Sequence, residues 1–191
     1  MALNLIQAPA AEPITLAQAR LHCRVDGTDE DELLGIYISA ARSQCEALTG
    51  RALITQTWEL SLDAFPAGEI RLGKAQALSI VSVKYIDPNN ILQTLSSAAY
   101  ALDAATSPGW LLPVSGYTWP ITKEVVNAVR VQFTAGYGAT AASVPASVRQ
   151  WMLVTVAALY AQRESFDLGG RAGLLPERFI DRLLDKEKVW G

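Results

Sequence analysis

The chain has 191 residues, of which 50% are apolar and 18% are charged, so it is long enough for one domain and too hydrophobic to be disordered. Its net charge of −3 provides no basic surface, which argues against binding driven by nucleic-acid phosphates, although a channel through which DNA merely passes tolerates such a balance. The apolar excess indicates either assembly with other subunits or a well-filled monomer, and composition leaves both open.

The first 50 residues read as an arm followed by two helices. Residues 1–13 contain scattered leucine and isoleucine and then an Ala/Pro-rich stretch, which predicts an extended arm. Residues 14–50 are predicted to be helical, with Thr15 as the cap of a short first helix and Thr28 as the start of a longer second one. Apolar residues three and four positions apart give the second helix one buried stripe, and Gly50 is typical of its end.

Residues 51–134 alternate between apolar and polar side chains and carry turn signals, which predicts a β-rich insertion. An irregular loop without periodicity, over residues 113–122, is expected to project, with Tyr117 and Trp119 at its surface. The predicted strands are residues 54–62, 69–72, 80–86, 91–95, 100–102, 110–112 and 125–133.

Residues 145–191 become helical again. A helix over residues 146–164 is apolar around nearly its whole circumference, which predicts burial on several sides, within the chain or against another subunit. A last helix opens at Pro176, and its apolar stripe and apolar end predict a partner interface. The residues predicted to make core or inter-subunit contacts are Val148, Trp151, Met152, Thr155 and Leu159, and those predicted for the partner interface are Phe179, Ile180, Leu183, Leu184, Val189 and Trp190.

The order of these elements predicts one α+β domain over residues 1–191, in which a helical core holds a central antiparallel β insertion. The helical core is expected to contain two N-terminal and two C-terminal helices. The longest nearly apolar run, residues 151–161, is too short for the roughly 20 residues that cross a bilayer, so we expect no membrane span.

Candidate groups for chemistry are sparse. His22 is the only histidine, and with two cysteines, Cys23 and Cys45, it cannot supply the usual ligands of a zinc site. The acids of residues 26–32 lack the ligand spacing of a calcium loop and are better explained by helix capping. We therefore expect no metal and no cofactor, while the distance between the two cysteines stays open.

Two other functions are considered. The irregular aromatic loop would suit a small hydrolase or lyase with a site near Asp103, Tyr117 and Lys123. The same loop would suit a carbohydrate-binding β module that uses Trp110, Tyr117 and Trp119. Cores and subunit interfaces use such aromatic residues more often than either site does.

Six short segments of the sequence carry a further signal through their order and spacing. They are EPITLAQAR at 12–20, DGTDEDE at 26–32, LTGRALITQTW at 48–58, NAVRV at 127–131, AGYG at 135–138 and VPASVRQ at 144–150. Taken together, these segments resemble the head–tail connector proteins of tailed phages, which are adaptors of the virion neck. The resemblance spans roughly residues 12–165, and the tail beyond it matches only as a helix.

The resemblance implies a structural protein without catalytic activity. Such adaptors form rings of about twelve subunits beneath the portal, extend the DNA channel and receive the next neck protein on the tail side. By that resemblance the C-terminal stripe would face the portal protein, DNA would be passing cargo only, and the protein would be made in the bacterial cytoplasm and end in the virion or prophage-encoded neck.

Overall fold

In the computed structural model, which describes residues 1–162 and 180–189, three α-helices share one hydrophobic core and eight strands form two antiparallel sheets. The predicted α+β class is confirmed, but the predicted count of four helices does not match the three α-helices of the described residues. The described part of the last predicted helix ends as a 3₁₀ turn at Arg182–Leu184, where the N–H of Asp185 donates to the Arg182 carbonyl at 3.3 Å. The start of that helix, at Pro176, lies outside the described residues.

The first two helices begin and end where local hydrogen bonds require. Helix α1 (Leu16–Cys23) starts after Thr15, whose hydroxyl accepts the Gln18 N–H while the Gln18 side chain accepts the Thr15 N–H, at 3.2 and 2.9 Å. Helix α2 (Asp31–Thr49) begins at Asp31 rather than at Thr28, because the Thr28 carbonyl closes a turn with the Asp31 N–H at 3.1 Å. Gly50 ends α2 as predicted, with a φ of +71°.

Helix α3 (Ala146–Ala161) starts directly after Pro145 and packs against α1, α2 and the 3₁₀ turn. Among the described residues, none of the helices combines the length and the apolar character needed to span a bilayer. The helical core is built from buried residues of all these elements, including Ile14, Ala19, Leu34, Ile38, Cys45, Val148, Trp151, Met152, Val156 and Leu184.

The strands form one large sheet and one small sheet. The strands are β1 (Ala2–Gln7), β2 (Gln56–Leu62), β3 (Ile70–Arg71), β4 (Ala77–Ile86), β5 (Leu92–Thr94), β6 (Tyr100–Asp103), β7 (Trp110–Pro113) and β8 (Val129–Ala135). The five-stranded sheet has the order β1-β2-β8-β4-β5, and the three-stranded sheet has the order β3-β7-β6. A second hydrophobic core joins the two sheets and contains Leu60, Leu72, Val83, Leu111, Val129, Val131 and Phe133.

Two strands differ from the sequence-based expectation. The predicted arm contains β1, which pairs with β2 of its own chain from Ala2 opposite Ser61 to Gln7 opposite Thr57. In β4 the register against β8 shifts on either side of Ile80, so that Val81 is an extra residue and 54% exposed. The strand predicted over residues 80–86 thus begins earlier, at Ala77, and its alternation of faces is interrupted, because a bulge reverses that alternation.

A close backbone contact connects the end of β8 to the chain that leaves the helices. Gly136 has a φ of +145°, and a Cβ at this position would lie 2.7 Å from the carbonyl carbon of Ile54. The Gly136 N–H also donates to the Gln76 carbonyl at 3.0 Å. Only glycine fits this conformation and this space without displacing the backbone.

We expect Gly136→Ala to lower the free energy of unfolding by about 2–4 kcal/mol, because it adds both backbone strain and a clash with a neighbouring main chain. Gly35→Ala is the matched control. A Cβ at Gly35, inside α2, meets nothing within 4 Å, so the change should stabilise the protein by about 0.5–1 kcal/mol. Urea unfolding of the two variants measures both effects, and equal effects would contradict this account.

Candidate functional site

The end of α2 is tied to the start of the β region by one buried carboxylate, that of Glu46, which is 6% exposed. Its Oε1 accepts the Leu53 N–H at 2.9 Å and the Gln56 side-chain N–H at 2.5 Å. Arg42, one turn earlier on α2, lies 3.4 Å from Oε2 and balances the charge. This carboxylate therefore fixes how the chain turns from the helical core into the sheet.

Arg42 and one further cation, Lys74, connect Glu46 to other parts of the chain. The Arg42 guanidinium also binds the Glu12 carboxylate at 2.8 Å, which fastens the N-terminal arm to α2. The Lys74 ammonium donates to the Glu46 carbonyl at 3.2 Å and lies 5.1 Å from the ring centroid of Trp58. Burial lowers the pKa of Lys74, an effect that the charge of Glu46 partly opposes.

The described C-terminal segment, residues 180–189, docks on this junction from the other side. Arg51 Nε donates to the Glu187 carbonyl at 2.5 Å and lies 3.8 Å from the Glu187 carboxylate, to which the Tyr137 hydroxyl also donates. Burial, and then the bond to Glu187, raise the pKa of Tyr137. The Val189 N–H donates to the Thr49 carbonyl at 2.9 Å, so the segment is held by main-chain and side-chain bonds alike.

The residues predicted for the partner interface on this segment differ in how deeply they are buried. Leu184 is fully buried in the helical core, and Ile180, Leu183 and Val189 are half-buried against the same chain. Phe179 and Trp190 lie outside the described residues. The side chains that the segment presents to solvent are those of Arg182, Asp185 and Lys186.

The predicted contact residues of α3 also differ in how deeply they are buried. Val148, Trp151 and Met152 are buried in the core of their own chain, and the Trp151 Nε1 donates to Asp181 at 3.2 Å. Thr155 and Leu159 are half-buried. A groove of about 320 Å³ lies beside Thr155, between α2, α3 and the C-terminal segment; its lining includes Leu48, Val154, Thr155 and Ala158.

The irregular loop after β7 is anchored through Trp119. The Trp119 ring stacks on Phe65 at a centroid distance of 5.0 Å and an interplanar angle of 4°, and its Nε1 donates to the Gly68 carbonyl at 2.7 Å. Tyr117 is 37% exposed and lines a groove of about 570 Å³ together with Pro66 and Trp119. One face of the Trp119 ring is therefore already used by Phe65.

The groups considered for catalysis are used in local structure. The Asp103 carboxylate accepts the Ala105 N–H and the Thr106 hydroxyl at 2.9 and 3.3 Å, and the Lys123 ammonium donates to Asn90 at 2.9 Å. Within the described ranges, no three His, Cys, Asp or Glu residues are grouped to hold a metal ion. The geometry thus provides contacts between segments, and none of these groups forms a nucleophile–base pair in the hydrogen bonds observed.

Sequence reasoning missed two kinds of residue. The pairing of Arg42 with Glu46 was readable as an i,i+4 ion pair, but nothing in the sequence indicated the partners of Glu187, which lie far away along the chain. It also missed apolar residues that are highly exposed. They are Leu21 at 82%, Ile121 at 80% and Val126 at 78%.

Part of the chain is similar in sequence to a known protein family. Residues 13–102, which include α1, α2 and strands from β2 into β6, match the family model of the phage gp6-like head–tail connector protein, so the predicted family resemblance is confirmed. No curated protein matches the chain.

Solved structures match over the whole fold. The neck of an empty gene transfer agent (GTA) particle, computed with C6 symmetry, contains a chain 24% identical with a TM-score of 0.83. The virion of the native GTA particle and the neck of the native particle, computed with C12 symmetry, each contain a chain 22% identical, with TM-scores of 0.80 and 0.78. Each match covers 100% of this chain and 97% of the other, which establishes a shared fold.

We expect Glu187→Ala to lower the free energy of unfolding by about 1–3 kcal/mol, because it removes the carboxylate that accepts the Tyr137 hydroxyl and lies beside Arg51, although the main-chain bond from Arg51 stays. Asp185→Ala is the matched control, since this exposed carboxylate only bridges to Lys188 at 2.8 Å and should change stability by less than about 0.5 kcal/mol. Urea unfolding compares the two, and a cost no larger for Glu187 than for Asp185 would show that the segment is not held here.

Burial, together with the charges of Glu46 and Glu187, raises the pKa of the Cys45 thiol from its ordinary 9.0 to about 12. The folded protein holds this proton more tightly than the unfolded chain does, so the contribution to stability is complete below pH 9 and is lost as the pH rises towards 12. We expect the free energy of unfolding to fall by about 4 kcal/mol between pH 9 and pH 12.

Urea unfolding at closely spaced alkaline pH values measures this slope. Cys45→Ala should remove the contribution of about one ionisable group from this slope. Cys23→Ala should reduce the slope less, because burial raises the pKa of that half-buried thiol to a smaller extent. The same slope in the Cys45 variant and in the unmodified protein would contradict the assignment.

Proposed function

Because residues 13–102 match the family model of the phage gp6-like head–tail connector protein, we propose that the chain is a structural protein of a virion neck. It forms an oligomeric ring beneath the portal and joins head to tail. It receives a further neck protein on the tail side, and DNA passes through the ring as cargo. The observation that carries the proposal is the family match combined with a fold shared over its whole length with chains of GTA necks.

The proposed ring contains about twelve subunits. The support is that the similar neck structures were computed with C6 and C12 symmetry. Ring closure needs head-to-tail contacts between two different surfaces of each subunit. The net charge of −3 is in keeping with a channel that does not hold DNA tightly.

We propose no catalytic activity, no cofactor and no membrane association for this protein. The support is that the groups considered for chemistry, Asp103 and Lys123, are hydrogen-bonded to turns. The proposed location is the neck of a phage-like particle, after synthesis in the bacterial cytoplasm. The proposed unit is one connector domain over residues 1–191, since the C-terminal segment packs into the same helical core as α1 and α2.

The proposed portal-facing surface is the C-terminal segment. Its apolar side chains serve mainly to hold it on the chain, because Leu184 is buried and its apolar neighbours are half-buried. Exposed Arg182, Asp185 and Lys186 therefore make the polar contacts, while Phe179 and Trp190 remain proposed apolar contacts.

The test mixes the purified protein with the portal protein of the same particle and images the product by electron microscopy. We expect rings on the portal. A protein that stays monomeric and leaves the portal bare would overturn the proposal.

We expect the double change Arg182→Glu and Lys186→Glu to weaken portal binding at least tenfold, or about 1.4 kcal/mol, while the fold is kept because both side chains are exposed. The control is Arg71→Glu with Arg130→Glu, which makes the same change of charge on exposed strand positions. Binding measured by light scattering that is equal for the two double variants would remove the C-terminal segment from the portal interface.

A further inference from the structure

The five-stranded sheet has an open edge at each end. At one end β1 pairs only with β2, so its outer side has no strand partner among the described residues. At the other end β5 pairs with β4 only from Lys84 to Ile86. The stretch Ala77–Ser82 of β4 therefore pairs with β8 on one side and, in the part of the chain that is described, with no strand on the other, while the Val83 carbonyl already accepts the Leu95 N–H at 2.8 Å.

Both edges are uncharged and mostly apolar. Neither β1 nor the stretch 77–82 contains a charged residue or a proline, two of the features that protect an edge strand from pairing with another chain, whereas bulges, a third such feature, occur in both. Each edge has register shifts, and the side chains there turn to solvent. Their exposures are 52% for Ile6, 46% for Leu78 and 54% for Val81, and Leu5 beside them is 45% exposed.

The strand directions allow these two edges to meet. Successive neighbours in the order β1, β2, β8, β4 are antiparallel, so β4 runs opposite to β1. A second copy that is related by a modest rotation would bring its β1 beside β4 of the first copy in an antiparallel sense. Antiparallel pairing is slightly the more stable arrangement per residue, and both edges are about the same length, since β1 has 6 residues.

We propose that the β1 edge of one copy adds to the open stretch of β4 in the next copy, so that the sheet continues from subunit to subunit. The contact joins two different surfaces of the same chain, which is the head-to-tail type that closes into a ring. Main-chain hydrogen bonds fix the register, and Leu5 and Ile6 pack on Leu78 and Val81 of the neighbour. This inference rests on the proposed ring.

Cysteine cross-linking between separate preparations tests the contact. One preparation carries Ile6→Cys with an affinity tag and the other carries Val81→Cys without it, both in a Cys23→Ser background. Cys45 stays in place because it is fully buried. The two are mixed with the portal protein, treated with a short bis-maleimide, and the cross-linked dimers are quantified by mass spectrometry.

We expect the mixed sample to give at least tenfold more dimer than either variant alone, since a head-to-tail contact places Ile6 only beside Val81 of another copy. Val126→Cys mixed with Ile6→Cys is the matched control, because Val126 is 78% exposed but lies away from both edges. A yield no higher than that of the control would overturn the edge contact.

Electron microscopy of the same samples separates the two proposals. Rings with the cross-link support both, and rings without it overturn only the edge contact. Cross-linked dimers without rings support the edge contact and count against the ring. Neither rings nor cross-links would overturn both.

Discussion

The buried carboxylate of Glu46 is the constraint on which the arrangement of helices and sheets depends. A charge removed from water is costly unless it is paired and hydrogen-bonded, and this one has a cation on one oxygen and two N–H donors on the other. The donors belong to the first residues of the β region, and the cation belongs to α2. The hydrophobic cores on either side of the junction are non-directional, so the polar group supplies the orientation that packing alone does not.

The same junction explains why the C-terminal segment returns to the middle of the molecule. Arg51 follows α2 directly, Tyr137 follows β8, and Glu187 lies near the other end of the chain, yet all three meet within one group of bonds. Segments far apart in sequence therefore share one site. The proposed function is to join neighbouring proteins of a virion neck. A centre in which three distant segments are bonded together keeps the outer surfaces of such a protein in fixed relative positions.

Much of the fold was predictable because its signals are local. Thr15 and Gly50 mark helix ends through hydrogen bonds and a φ that their own residues determine, and the hairpin after β4 follows from its turn residues. The division into two sheets was not predictable, because strand order depends on contacts between distant residues. The bulge at Val81 was not predictable for a related reason, since the alternation of apolar and polar residues does not reveal a bulge.

The candidate surfaces were less predictable than the fold. An apolar stripe on a helix looks the same whether it meets its own core or a partner, which is why Leu184 and Leu159 were indistinguishable by sequence and differ in burial. Exposed apolar residues in loops, such as Ile121, have no period that could reveal them. The family resemblance could be recognised from the sequence because its matching segments lie at helix caps, turns and strand starts, where the backbone conformation limits the choice of residues.

Arg42 forms ion pairs with both Glu12 and Glu46, and the two pairs respond differently to ionic strength. The side chain of Glu12 is 35% exposed and that of Glu46 only 8%, so dissolved ions screen the first ion pair much more than the second. In concentrated salt the anchor of the N-terminal arm loosens while the helix-to-sheet connection keeps its strength. Salt therefore weakens the outer of the two ion pairs of Arg42 before the inner one, while the main-chain ladder between β1 and β2 depends on neither.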